Sequence, residues 1–239
     1  MSKVAQVIRK VKNTTCSVVV VAAGRSERMG QDKLFLPLEG MPVLARTLRA
    51  FDGCGFVDEI VVVAREDRLE QTAELCRSYG IGKVNKVVIG GDTRTKSVLA
   101  GVSSIRRDAR IVLVHDGARP LVTEEIIRDA MHTAAMFRCA APAIPVTDTV
   151  KEIRDNVVVS TPDRSSLVAV QTPQAFIPDL LKGALTAAVR EGKEYTDDCA
   201  AVEAMGFTVR LSKGSPENIK ITVPADLAAA SAILRSRHE

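Results

Sequence analysis

Four consecutive valines, Val18 to Val21, run into Ala22, Ala23 and Gly24, and Arg25, Arg28 and Lys33 follow within the next nine positions. Small residues at the end of an apolar run let backbone N–H groups approach a ligand closely, and cations beyond them can pair with its charge. The combination suits a polyphosphate. Two common phosphate loops do not account for it. The dinucleotide fingerprint needs a glycine two positions after Gly24, where Ser26 stands, and no acidic ribose ligand follows a second strand at the expected distance. The P-loop needs a glycine five positions after Gly24, where Met29 stands, and Gly30 is followed by Gln31 instead of lysine.

Two further segments carry groups fit for a ligand. In GGDTRTKS, Gly90 and Gly91 permit tight backbone, Asp92 can cap the following helix, and Ser97 lies within its first turns. Backbone and one or two small polar groups of this kind can read the amino and carbonyl edges of a pyrimidine. In HDGARP, Asp116 can bind a hydroxyl or a hydrated metal, and Arg119 can pair with phosphate. His115 reads as a structural residue, because the chain has three histidines and none are spaced as ligands. Lys220, in ENIKIT, can be read from its neighbours as a solvated strand residue.

These residues need a frame, and the chain supplies one. A continuous β-branched run predicts a strand buried on both faces. Further strand-like runs occupy Val57 to Ala64, Lys83 to Ile89, Arg110 to Val114 and Cys139 to Val146. Between them come helical patterns, as in Val43, Leu44, Thr47, Leu48 and Phe51, or Ile126, Ile127, Ala130 and Ala134 behind a Thr123 N-cap. Such alternation predicts a mostly parallel, Rossmann-like α/β sheet with helices on both faces and ligands at the carboxyl ends of its strands. From Thr147 to Thr161 the rhythm breaks into TVKEIR and VVVST around Asp155 and Asn156, which predicts a β-hairpin inserted as an arm. An isolated hairpin is marginal in water, so the arm should find a partner surface, most simply in a homodimer, or fold over its own domain. With no repeat or flexible linker, residues 1–239 read as one domain carrying the arm at 147–161.

Composition narrows the partners. At 239 residues and 46% hydrophobic the chain can bury a full core. Aromatics are 3% of residues and tryptophan is absent, which argues against a stacking platform for nucleic acid. A net charge of +4 is mild, and no basic run suggests a DNA-binding arm. The five cysteines are widely spaced and never form CxxC, so neither structural zinc nor a disulfide framework is expected, and a reducing cytoplasm is. No run has the length of a signal peptide core or a membrane span.

With Gly24, Arg28, Gly30 and Lys33, the first segment resembles the signature of nucleotidyltransferases that join a nucleoside triphosphate to a phosphate. Taken alone it would also fit molybdopterin guanylyltransferases. The ordered set AAGRSERMG, GGDTRTKSVLAG, VHDGARP, TDTVK, TPDR, QTPQ, YTDD and NIKIT resembles more closely the 2-C-methyl-D-erythritol 4-phosphate cytidylyltransferase family, over Cys16 to about Leu234. One departure is Gly117, where alanine is frequent in that family. The resemblance implies transfer of CMP from CTP to a polyol phosphate with magnesium, bound mainly through the triphosphate, and no metal ligand set in the protein. It implies that Ala22, Ala23, Gly24, Gly91, Asp92 and Ser97, with Asp116 and Gly117 beside them, hold the nucleotide. Arg28, Lys33 and Lys220 would be catalytic. Asp116, Arg119, Thr196 and Lys220 would meet the acceptor or the reacting phosphate, with Thr149 and Arg164 offered by the arm region of a second subunit. Ribitol 5-phosphate cytidylyltransferase is the nearest alternative, and a CTP-binding regulatory module without catalysis is another.

Overall fold

The computed structural model describes residues 14–24 and 32–237. Strand β1 (Cys16–Ala22) leads through the short hairpin β2 (Pro37–Leu38) and β3 (Met41–Pro42) to helix α1 (Val43–Asp52). Then come β4 (Glu59–Ala64), α2 (Leu69–Ser78), β5 (Val84–Ile89), α3 (Arg94–Ser104), β6 (Ile111–Asp116), α4 (Glu124–Phe137) and β7 (Cys139–Pro145). The second half adds β8 (Glu152–Arg154), β9 (Val157–Ser160), β10 (Val168–Val170), β11 (Gln174–Phe176), α5 (Pro178–Glu191), α6 (Asp198–Glu203), β12 (Arg210–Lys213) and α7 (Pro224–Ser236).

The main sheet runs β10-β7-β11-β6-β1-β4-β5, with β12 also paired to β7. β6, β1, β4 and β5 are mutually parallel, whereas β11 enters antiparallel between β6 and β7. The valine run is apolar throughout because successive side chains point to opposite faces and both faces are covered. Val18 and Val20 pack among Leu44, Leu48 and Phe51 of α1 and Ile127 and Met131 of α4, while Val19 joins Val98 and Val102 of α3 and Leu181 and Leu185 of α5. Full burial of each such valine contributes about 1.5 kcal/mol or more to stability.

Helix starts follow local chemistry. Thr123 caps α4 by accepting from Ile126 N–H, and α5 begins with Pro178 at its first turn and ends at Gly192 with φ +64°. Strand ends are displaced from the sequence-based bounds by a residue or two: β4 starts at Glu59 and β6 extends to Asp116. That extension puts the Asp116 carboxylate on the last rung of the sheet, opposite Val21.

Helix α3 lies close to the sheet at Gly101, where a Cβ would sit 2.4 Å from Val19 Cγ1 and 2.7 Å from Val63 Cγ2. Gly101→Ala is therefore expected to destabilise the fold by about 1–3 kcal/mol through overpacking, despite the better helix propensity of alanine. A denaturant midpoint unchanged or raised would contradict this packing.

β8 and β9 pair antiparallel around Asp155 (φ +49°) and Asn156 (φ +63°). Two consecutive left-handed residues are the geometry of a type I′ turn, which short polar side chains tolerate. Ile153, Val157, Val158 and Val159 are each at least 51% exposed, so the hairpin leaves apolar surface uncovered in a single chain.

Candidate active site

The carboxyl ends of β1, β4, β5 and β6 open onto one cleft of about 1060 Å³. Ala23, Gly24, Lys33, Gly91, Asp92, Ser97, Asp116, Gly117 and Lys220 all line it. Parallel register explains the convergence, since Ala22 pairs with Ala64 and Val21 with Asp116, so the loops leave the sheet at one level. Ala22 itself is buried just beneath. Arg28, with Arg25 and Gly30, lies outside the described residues. Among the expected acceptor residues, Arg119, Thr149, Arg164 and Thr196 are not on the cleft wall within one chain. Arg164 donates from Nη1 to the Thr147 carbonyl at 2.6 Å, and it and Thr149 flank the exposed hairpin.

The nucleotide-side wall requires its glycines. A Cβ at Gly90 would lie 2.7 Å from Ala23 Cβ and 2.8 Å from Ser97 Oγ, and one at Gly91 would lie 2.4 Å from Lys96 Cβ. Ser97 Oγ lies 2.8 Å from the Thr93 carbonyl oxygen and 3.2 Å from that of Gly91, which draws the loop against the first turns of α3. The expected capping role of Asp92 is corrected: Thr93 is the N-cap, accepting from Lys96 N–H at 3.2 Å. Asp92 stands one position too early and, exposed on the cleft wall, pairs with Lys96 Nζ at 2.8 Å, which holds its carboxyl below the usual carboxylate range. At Gly117 a Cβ would meet Val21 O at 3.0 Å and Leu44 Cδ1 at 3.2 Å, so alanine there would need a small shift of the neighbours.

Asp116 is the electrostatic centre of the opposite wall. Burial alone would raise its pKa, but Lys220, Arg94 and Arg119 outweigh that and bring it to about 2. Lys220 Nζ lies 3.0 Å and Arg119 Nε 3.4 Å from Asp116 Oδ2. Arg119 is set behind the carboxylate, 12% exposed, with Nη1 donating to the Asn218 carbonyl at 2.7 Å. It joins the β6 end to the NIKIT segment, and so orders Asp116 and Lys220 at the cleft.

Beneath them His115 is fully buried, its pKa pushed down to about 4 by burial. Its Nε2 lies 3.1 Å from the Arg119 carbonyl oxygen, which can only accept, so this nitrogen carries the proton. Nδ1 then accepts from Thr172 Oγ1 at 3.0 Å, and Thr172 Oγ1 in turn accepts from Asp116 N–H at 3.1 Å. His115 is a neutral strut of the site, in agreement with its sequence-based reading.

A low Asp116 pKa ties stability to pH. The folded value is depressed below the ordinary 3.8, so Asp116 adds stability above about pH 4 that is lost as pH falls toward 2. Its size is about 2 kcal/mol, and Asp116→Asn should flatten the acid limb of unfolding free energy against pH by that amount. An acid limb identical to that of the unsubstituted protein would remove Asp116 from this role.

Among the described residues no three His, Cys, Asp or Glu side chains gather as a metal site. Asp116 is ionised and faces the cleft, which fits a hydrated divalent cation carried chiefly by the ligand's own phosphates.

Several working residues went unassigned in the sequence. Arg94 lines the cleft and grips Asp198 with both Nη atoms, at 2.9 and 2.8 Å. Gln174 accepts from the N–H groups of Asp198 and Cys199 and donates to Asp197. Asn218 Nδ2 donates to the Thr172 carbonyl at 2.9 Å. The signal was present in QTPQ, YTDD and NIKIT as motifs, but a motif does not say which partner each side chain meets.

A cleft with glycine backbone on one wall and cations on the other, over a histidine locked neutral, is suited to bringing two anions together without a general base, as a nucleotidyltransferase does. Likeness to known proteins narrows that class to a family. A family model described as 2-C-methyl-D-erythritol 4-phosphate cytidylyltransferase matches residues 16–236, and the chain belongs to that family. The 2-C-methyl-D-erythritol 4-phosphate cytidylyltransferase of Caldanaerobacter subterraneus subsp. tengcongensis is 44% identical over 223 residues, covering 92% of this chain and 98% of that one. The crystal structure of 4-diphosphocytidyl-2C-methyl-D-erythritol synthase from Anaerococcus prevotii superposes with a TM-score of 0.82 at 29% identity, covering 93% and 99% of the two chains. The crystal structure of the cytidylyltransferase from Thermus thermophilus gives 0.76 at 32% identity, covering 91% and 98%.

Proposed function

We propose that this chain transfers CMP from CTP to 2-C-methyl-D-erythritol 4-phosphate, releasing pyrophosphate and forming 4-diphosphocytidyl-2-C-methyl-D-erythritol. The observation that carries the reading is that Lys33 and Lys220, from opposite ends of the chain, line one cleft with the Gly90–Ser97 loop. The acceptor's phosphate monoester has a second pKa near 6, so its oxygen is already ionised at neutral pH and needs no base to create the nucleophile. The obstacle is repulsion between anions. Arg28 and Lys33 neutralise the triphosphate, and Lys220, steered by Asp116, draws the acceptor phosphate to the α-phosphorus for in-line attack. Magnesium bound through the CTP phosphates would add charge neutralisation there.

In the same proposal Ala22, Ala23, Gly24, Gly91, Asp92, Ser97 and Gly117 surround the cytidine, and Thr196 faces the acceptor. The apolar hairpin supports a homodimer in which Thr149 and Arg164 reach the partner's acceptor phosphate. Among the described residues no helix is long and apolar enough to cross a membrane. All five cysteines are buried and unpaired, which supports a cytoplasmic setting.

Pyrophosphate release with CTP and either methylerythritol phosphate or ribitol 5-phosphate tests the reading, which predicts turnover with the first and little with the second. CTP should also exceed UTP in kcat/KM by about a hundredfold or more, because groups placed to accept the cytosine amino group are left unpaired by uracil. Activity should vanish in EDTA and return with magnesium. Equal use of CTP and UTP, or full activity in EDTA, would overturn the corresponding assignment.

A further inference from the structure

Asp198 is 1% exposed, and a carboxylate so placed carries a large desolvation cost. Burial pushes its carboxyl up in pKa, and Arg94, in a two-point fork, pulls it down. An apolar pair of the same volume would often be as stable or more so, which makes stability a weak reason for the pair. Its location offers a better one. Arg94 is the first residue of α3, directly after the loop that carries Gly91, and its charge also acts on Asp116. Asp198 opens α6, directly after the loop that carries Thr196. A second tie joins the same two segments, since Thr95 Oγ1 donates to Glu194 Oε2 at 3.0 Å.

We propose that Arg94 and Asp198 are a positioning pair that locks the acceptor-side loop, residues 194–198, onto the nucleotide-side helix α3. The proposal rests on Thr196 facing the acceptor. The two sides are not equally dependent on the pair. Helix α3 is held independently against β1 and β4 by Val98, Gly101 and Val102, so the nucleotide wall survives loss of the fork. The 194–198 loop is fastened by Gln174, by Tyr195 against the core and by these two ties to α3, so loss of the fork loosens the Asp198 end of the loop more than it disturbs α3. Arg94 supplies two parallel donors in a fixed plane, which lysine cannot reproduce.

Asp198→Asn and Arg94→Lys should each raise the acceptor KM and lower kcat, together costing about tenfold or more in acceptor kcat/KM, with CTP KM within about twofold of the unsubstituted enzyme. Arg94→Lys keeps the charge beside Asp116, so its failure to rescue marks geometry and not charge as the cause. Hydrogen exchange should quicken in residues 193–199 and stay unchanged in 90–97. Thr196→Val is measured alongside. If Thr196→Val leaves the acceptor KM unchanged, the acceptor placement fails. If Thr196→Val raises it and the pair variants do not, or if they raise both KM values equally, the positioning role is overturned. Should Asp198→Asn not fold, Arg94→Lys decides the question by itself, and full acceptor affinity in that variant rejects the proposal.

Discussion

Lys33→Ala and Lys220→Ala should each lower kcat by about two to three orders of magnitude, as removal of a donor aimed at developing charge does. Arg28→Ala belongs to the same set by its place in the sequence between Gly24 and Lys33. The expectation follows from a reaction whose nucleophile is ionised beforehand and whose barrier is charge repulsion. Folding should be nearly intact for Lys220→Ala, because its side chain is 43% exposed and Asp116 retains Arg94 and Arg119. The Asp116 pKa should rise when Lys220 is lost, since Lys220 is the strongest of the three cations lowering it. Steady-state pyrophosphate release with thermal unfolding of each variant checks both parts. A well-folded Lys33→Ala or Lys220→Ala enzyme with near-normal kcat would sink the assignment of that lysine to the reacting phosphates.

A second large effect is expected on mixing two inactive chains. Arg164→Ala and Lys33→Ala enzymes should each be nearly inactive, one lacking the arm's contribution and the other a cation of the cleft. If Arg164 serves the partner's site, a hybrid dimer holds one site with both residues intact and one lacking both. Random exchange makes hybrids about half of all dimers, so activity should recover toward about one quarter of the unsubstituted value. Arg164 lies apart from the cleft of its own chain and beside an exposed apolar hairpin, which is why the partner is the expected destination. If Arg164 acts in its own chain, every hybrid site carries one lesion. No recovery, with subunit exchange verified, would then reject the shared site.

What neighbouring residues dictate is legible in the sequence. The double-faced burial of β1 follows from four adjacent valines, because a side-chain period of two leaves no polar position for a solvated face. The hairpin follows from Asp155 and Asn156, whose side chains tolerate the left-handed backbone found there. Thr123 as a cap rests on a neighbour three positions on, and His115 as a structural residue followed from the absence of histidines spaced as ligands, although its Thr172 partner lies across the fold. Where a decision turned on one position, local reading slipped: Thr93, not Asp92, caps α3.

Tertiary structure alone decided the electrostatics. Asp116 acquires its low pKa from Lys220, Arg94 and Arg119, and the buried Asp198 meets its cationic partner only because Arg94 arrives from α3. The insertion of β11 antiparallel between β6 and β7 was equally invisible, although it carries Gln174 to the start of α6. Strand and helix periodicities record contacts between residues a few positions apart. A charge's partner across the sheet depends on how the strands are ordered, and on desolvation that exists only once both faces have closed.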